Sequence, residues 1–209
     1  MTPLSRPVIW YVLTAMDRET ELALVERLRG GDTAAFDAIH AAFNGRLYNF
    51  LARLARSRDV AEDLLEETWL RFVSHGDQLR PDSRLGPWLF TVARNVHITW
   101  CRARAVERRA AATLDLWPAE SAAESPFDAA AVSELGRRLE GALASLSVDA
   151  REVLLLVGVE GMTPSEAAVV CAVTPEAMRQ RLKRARALLA DQLAGSEARH
   201  VVRLREVKS

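Results

Sequence analysis

Cysteine is scarce in this chain of 209 residues: Cys101 and Cys171 are its only two, seventy residues apart, with neither a Cys-x-x-Cys pair nor a histidine at ligand spacing. This excludes a disulfide scaffold, a zinc ribbon and a thioredoxin-like motif, and makes a reducing cytoplasm the simpler setting. Net charge is missing too, because 28 Lys+Arg face 28 Asp+Glu. The apolar run Val8 to Ala15, behind a single Arg6, falls far short of the ~20 residues of a membrane span. The residues before Met16 make a poor cleavage site for a signal peptide. Residues 1–17 therefore read as a flexible leader, or as a start placed too early with Met16 the alternative beginning. Hydrophobic residues make up 49% of the chain, enough to bury a core, which rules out wholesale disorder and collagen-like repeats.

The zero balance hides strong segregation. Asp59 to Glu67 holds Asp59, Glu62, Asp63, Glu66 and Glu67 and no base; Ala112 to Glu134 also holds five acids and no base. Val92 to Arg109 sets Arg94, Arg102, Arg104, Arg108 and Arg109 against Glu107 alone. Arg179, Arg181, Lys183, Arg184 and Arg186 form a run without an acid. A single charged stretch is usually a solvated helix face. Two basic stretches, each fused to an amphipathic helix, point instead to the phosphate backbone of a nucleic acid.

Apolar periodicity is helical nearly throughout. The spacing predicts a helix from Glu21 to Arg29 ending at Gly30-Gly31. A second, capped by Asp32, carries Leu47, Phe50, Leu51 and Leu54; a third, capped by Asp59, carries Leu64, Leu65, Trp69, Phe72 and Val73. Gly76 and Pro81 break the pattern into a loop. A fourth helix opens at Leu85 with Trp88, Leu89, Val92 and Val96 on one side, and the first helical unit, 18–109, ends there. Residues 110–131, Ala-rich and acidic with Pro118 and Pro126, read as a linker. The second unit, 132–194, comprises Leu135 to Leu146, Asp149 to Val159 and two helices opened by Thr-Pro. Thr163 precedes Pro164 and has Glu166 three residues on, a capping box; Thr174 precedes Pro175. A short helix, a turn at Ala172-Val173 and a longer basic helix make a helix-turn-helix, whose second helix suits the major groove. On that helix Met178, Leu182, Ala185 and Leu189 recur at core spacing, while Arg179, Gln180 and Lys183 fall on the other side; arginine and glutamine read base edges and lysine suits phosphates. The tail 195–209 is basic and unexplained.

Four segments in register carry a family resemblance: AEDLLEETWLRF (Ala61 to Phe72), PWLFTVARN (Pro87 to Asn95), LASLSVDAREVLLLVGVEGMTPSEAA (Leu143 to Ala168) and RQRLKRARALL (Arg179 to Leu189). Over about residues 20 to 194 the chain resembles the extracytoplasmic-function group of the bacterial sigma-70 family. The resemblance implies an all-α protein of two small domains, sigma-2 and sigma-4, joined by a flexible linker. It implies a transcription initiation factor, not an enzyme, with no cofactor or metal, whose partners are core RNA polymerase, promoter DNA and an anti-sigma factor. It assigns Glu62, Asp63, Glu66 and Glu67 to docking on the polymerase. Asp77, Gln78 and Leu79 become the pocket loop of −10 melting, with Arg94, Asn95, His97, Arg102 and Arg104 touching the exposed strand. Arg179, Gln180, Lys183 and Arg184 read the −35 duplex, with Arg181 and Arg186 on its backbone. Trp88 is expected in the core, and Trp100 is open between core and base stacking. Ala172 stands where the family's turn often has Gly, a costly exchange if φ is positive there.

Three other classes compete. A stand-alone DNA-binding regulator accounts for the helix-turn-helix but not for the acidic helix or the basic helix of the first unit. An enzyme built on Glu62 and Glu66, at i and i+4, lacks any histidine, cysteine or glycine-rich loop to join them. A purely structural helical adaptor is the third possibility. Dependence on core polymerase separates the sigma reading from all three.

Overall fold

A computed structural model of the chain describes residues 16–76, 79–113 and 134–206. The expected leader, Asp77 and Gln78 of the loop, and nearly all of the expected linker lie outside them. Among the described residues there are helices and no strands. They are α1 (Arg18–Arg29), α2 (Thr33–Ala55), α3 (Arg58–His75), α4 (Leu85–Thr113), α5 (Glu134–Ser145), α6 (Val148–Leu154), α7 (Pro164–Val170) and α8 (Pro175–Glu206).

Most boundaries follow from local chemistry. The side chains of Asp17 and Asp32 accept N–H groups at the starts of α1 and α2, and Thr163 and Glu166 close a reciprocal capping box on α7. The start of α3 corrects the sequence reading: Ser57, not Asp59, is the cap, accepting the Val60 N–H. Arg56 adopts φ 58° to end α2 one residue earlier, a conformation for which arginine carries no sequence signal. Helix α4 runs four residues past the expected end at Arg109, and α8 continues through Gly195 into what the sequence left as a tail.

Helices α1–α4 form one packed unit. Phe50 of α2 meets Phe90 of α4 edge-on at 5.2 Å, and Phe72 joins Phe36, Trp69 and Trp88 in an aromatic cluster. Trp88 is thus a packing residue, half-buried against the core. Trp69 donates its indole N–H to Asn44 Oδ1 at 2.9 Å, which satisfies the one polar atom its burial would strand. Val73, expected in this core, is 65% exposed, because the buried side of α3 is made by Ala61, Leu64, Thr68, Trp69 and Phe72.

Helices α5–α8 form the second unit, with Met178, Leu182 and Ala185 of α8 packed under α6 and α7. Between α6 and α7 lies a π-helical turn, Leu155–Val159, closed by the Glu160 N–H donating to the Leu155 carbonyl five residues back. The extra residue matters for direction. Glu152 and Glu160 would stand about 80° apart on a regular helix, but a turn that absorbs one residue reduces this to about 20°. Both carboxylates consequently face the first unit.

The two units pack together, α7 along α4 and α6 against α2. The turn of the helix-turn-helix holds Ala172 at φ 53°, as its glycine-like position suggests. Ala172→Gly is expected to raise stability by about 0.5–1 kcal/mol, since relief of the left-handed strain exceeds glycine's entropic cost. Urea denaturation checks this, and an unchanged or lowered midpoint counts against strain at that turn.

Candidate nucleic-acid interface

The loop before α4 is held from α1. Glu21, buried, accepts the Leu85 N–H at 2.6 Å, so a side chain from another helix caps the start of α4. Arg18 donates to the carbonyls of Asp82 and Ser83 and pairs with Glu21 at 2.8 Å. Arg84 joins the same carboxylate at 3.2 Å and reaches Glu166 of α7 at 3.2 Å. Neither Arg18 nor Glu21 carries a motif signal; in sequence they are ordinary first-turn charges.

Helix α4 divides the expected strand-contacting residues. Asn95 and Arg102 are exposed, and Arg104 lies beside Trp100 at 6.0 Å from the ring centroid while pairing with Glu107 at 3.4 Å. Trp100 is half-buried and stacks on His97 with ring centroids 6.0 Å apart. Three expectations are corrected. Leu79 is a core residue at 3% exposure, so it lines no open pocket. His97 is also 3% exposed, shut in because it falls on the apolar side of α4 where the second unit covers it. Arg94 is bonded through Nε to Glu152 Oε1 at 2.8 Å, with the pair only 16% and 5% exposed, because α6 sets a carboxylate opposite it.

That corner is electrostatically tight. Burial, reinforced by the charges of Arg151 and Arg94, lowers the His97 imidazole to about 4. Burial raises Glu152 despite Arg94. Cys171 donates its thiol to Glu152 Oε2 at 3.4 Å, and burial together with that carboxylate pushes it up to about 12. It is a protonated, unreactive thiol, in keeping with a small buried side chain in the turn.

On α8 the basic face is open. Arg179, Gln180, Lys183, Arg184 and Arg186 are exposed, Arg181 is partly so, and the opposite side of the helix is core. Arg179 pairs with Glu176 at 2.6 Å, and Gln180 donates to the same carboxylate, an exposed contact worth little against a phosphate or a base edge. On α3, Glu62, Asp63 and Glu66 are exposed, while Glu67 pairs with Arg71 at 2.7 Å. Beside them stand Leu70, 56% exposed, and Val73. An apolar pair rimmed by acids is the make-up of a protein-docking patch, and the sequence reading missed its apolar half by placing Val73 in the core.

An acidic ridge on α3, a basic helix behind an anchored loop and a helix-turn-helix with an open basic face define a two-unit helical protein of the DNA-binding kind. Comparison with known proteins gives the class its name. The model of sigma-70 region 2 matches residues 39–106, and that of sigma-70 region 4 matches residues 136–189. The chain is 34% identical to the RNA polymerase sigma factor CarQ of Myxococcus xanthus, over 77% of this chain and 90% of that protein. It is 32% identical to the ECF RNA polymerase sigma factor EcfG of Rhodopseudomonas palustris, over 80% and 86%. Among solved structures, the sigma factor RpoE of Bartonella quintana, in complex with the anti-sigma factor NepR, matches with a TM-score of 0.66 at 29% identity, over 76% of this chain and 96% of that one. CnrH, in complex with the cytosolic domain of CnrY, shares the fold at a TM-score of 0.62 and 23% identity, over 84% and 98%. The protein belongs to the sigma-70 family, in its extracytoplasmic-function group. It is a sigma factor, of the kind that directs RNA polymerase to promoters, with α2–α4 as region 2 and α5–α8 as region 4. No described helix is long and apolar enough to cross a membrane.

The buried, neutral His97 sets a pH dependence. Its folded pKa of about 4 lies below the ordinary 6.5, so its contribution to stability is complete above pH 6.5 and is lost as pH falls towards 4. The two-and-a-half-unit gap corresponds to about 3 kcal/mol. In urea titrations at a series of pH values, His97→Phe is expected to lose less stability than wild type between pH 7 and 5; parallel curves would show that the histidine titrates normally.

Proposed function

We propose that this protein docks on core RNA polymerase through α3 and spaces two DNA-reading surfaces along a promoter. Region 4 reads the −35 duplex and region 2 holds the melted −10 strand. The observation that carries the reading is the open basic face of α8, opposite its buried Met178 and Leu182, in the second helix of a helix-turn-helix. Arg179, Gln180, Lys183 and Arg184 are placed to reach base edges in a major groove, with Arg181 and Arg186 on phosphates.

Glu62, Asp63, Glu66 and Glu67, with Leu70 and Val73, form the polymerase contact. On α4, Asn95, Arg102 and Arg104 are the strand contacts. Melting requires an unstacked base to be held and the exposed strand to be neutralised. The half-exposed ring of Trp100, backed by His97, supplies a stacking platform, so His97 acts through Trp100 rather than on DNA. The −10 loop spans residues 77–84, anchored at its far end by Arg18 and Glu21. Binding energy and positioning, with no catalysis, cofactor or metal, carry the work, and the site of action is the cytoplasm. An anti-sigma factor is the regulatory partner, as it is for the RpoE of Bartonella quintana.

Arg179→Ala or Lys183→Ala is expected to lower promoter-specific initiation roughly tenfold to a hundredfold, in line with the 1–3 kcal/mol of a base contact, while binding to core polymerase stays intact. Run-off transcription from a promoter library, with and without the protein, together with a core-binding assay, checks this. Lost polymerase binding in these variants overturns the division of roles. If the wild-type protein shifts duplex DNA yet never programs core polymerase, a stand-alone regulator becomes the better reading.

A further inference from the structure

The described part of the loop before α4, residues 79–84, has one apolar anchor, Leu79, which is 3% exposed. Arg80, Pro81, Asp82 and Arg84 are exposed and Ser83 is half-buried, so apolar packing does not fix the loop's path. Hydrogen bonds fix it instead. Inside the loop, the Arg80 N–H donates to Ser83 Oγ at 3.0 Å and the Ser83 N–H donates to the Arg80 carbonyl at 2.9 Å. From outside, α1 holds both ends. At the near end Leu28 packs against Gly76, where a Cβ would meet Leu28 Cδ2 at 3.4 Å, and the Leu79 N–H returns to the Gly76 carbonyl at 3.3 Å. At the far end Arg18 spreads its two terminal nitrogens: Nη2 donates to the Asp82 carbonyl at 2.6 Å, and Nη1 donates to the Ser83 carbonyl at 3.0 Å and to Glu21 at 2.8 Å. Glu21, its side chain 7% exposed, accepts the Leu85 N–H with its other oxygen. Arg18 and Leu28 stand ten residues apart, about 15 Å along the helix, and α1 lies across the loop as a splint. The match to sigma-70 region 2 begins at residue 39, beyond the end of α1, so the splint is built from residues outside the matched part.

We propose that Arg18 and Glu21 are positioning residues for recognition of the −10 element: they act through the loop and not on DNA, holding it in the one conformation that receives an unstacked base. The role rests on the reading of this loop as part of the −10 pocket. Capturing a base from the stack already carries the cost of unstacking. A loop that became ordered only on binding would add its own backbone entropy to that cost, and a loosely held pocket would also adapt to the wrong base. A planar guanidinium that spans two successive carbonyls, and is itself fixed by a buried carboxylate, removes both difficulties before the promoter arrives. Glu21 couples the same loop to the first turn of α4, so the pocket and the helix that carries Asn95, Arg102 and Arg104 keep one geometry. The consequence is specific. Loss of Arg18 is expected to fall on discrimination at the −10 element and to spare both the −35 contacts of α8 and the polymerase contact of α3.

The test is run-off transcription by core polymerase with the full chain, on promoters that the wild-type protein selects from a library. Each promoter is paired with one version carrying a substituted base in the −10 element and one carrying a substituted base in the −35 element. The readout is the ratio of initiation from the selected promoter to that from its substituted version, because loss of folded protein lowers both equally and leaves the ratio unmoved. Arg18→Ala truncates a side chain that is 38% exposed. It is expected to lower the −10 ratio about tenfold, the size of a base-pair preference, and to leave the −35 ratio within about twofold of wild type. Glu21→Gln keeps an acceptor for the Leu85 N–H and removes the charge that holds Arg18, so a smaller fall of about threefold is expected. Arg29→Ala, at the other end of α1 and paired with Glu26, is expected to leave both ratios as they are. A wild-type −10 ratio in a helical Arg18→Ala protein, or a fall in both ratios together, overturns the proposal. So does a uniform loss on every promoter with a shallower salt dependence, which marks a direct phosphate contact. If circular dichroism shows Arg18→Ala to be unfolded, Glu21→Gln and Arg18→Lys decide by the same ratios, since an ammonium cannot span both carbonyls. If the wild-type protein discriminates at −35 and not at −10, the reading of the loop as the −10 pocket is what fails, and the positioning role falls with it.

Discussion

A guanidinium with no water around it has to find its hydrogen bonds in the protein, and Arg151 finds them on the backbone. It is buried at the start of α6 and donates to the carbonyls of Leu143, Ala144 and Leu146, at the end of α5, and to those of Arg53 and Leu54, at the end of α2. Helix C-termini leave carbonyls without partners and carry the negative end of the dipole, and arginine alone among side chains brings five donors in a fixed fork. One side chain thereby ties off two helices belonging to different regions. Burial lowers its basicity, yet arginine stays charged in proteins, so the cost of its desolvation is met only while the carbonyls stay in place. The α5–α6 corner and the seat of region 4 against α2 depend on that fit.

The carboxylate–arginine pairs extend the same principle outward. Burial raises both Glu152 and Glu160 above the ordinary carboxylate range, and the opposing arginines hold them down. A charge so placed is tolerated because its partner arrives with correct geometry, and it becomes a liability when the partner leaves. These ion pairs flank apolar packing, for the buried side chains of both regions belong to one continuous hydrophobic cluster.

Region 2 solves a different problem. Its loop before α4 is short of apolar anchors except Leu79, so its position is set by Arg18 and Glu21 on α1, which hold two loop carbonyls and the first N–H of α4. Helix α1 is therefore the strut that fixes where α4 begins. The aromatic cluster of Phe36, Trp69, Phe72 and Trp88 makes the matching apolar connection from α2 through α3 to α4, leaving Leu70, Val73 and the acids of α3 to face outward together.

Much of this was legible beforehand. Period-3.6 apolar spacing placed all eight helices, and Asp32, Thr163 and Thr174 marked starts that the structure keeps, because capping is a contact between residues two or three apart and needs no distant partner. The helix-turn-helix and its exposed basic face were equally local, whereas the glycine-like position of Ala172 came from the family resemblance. What sequence alone left undetermined was which charged side chains face water. Arg94 and His97 sit in a basic stretch that reads as touching the exposed strand, and Val73 fits an apolar stripe that the fold turns outward. Those assignments depend on what another segment, often more than fifty residues away, sets opposite them. Helix identity is decided by bonds within four residues; burial, ion pairing and pKa are decided by long-range packing, and only the tertiary structure carries that information.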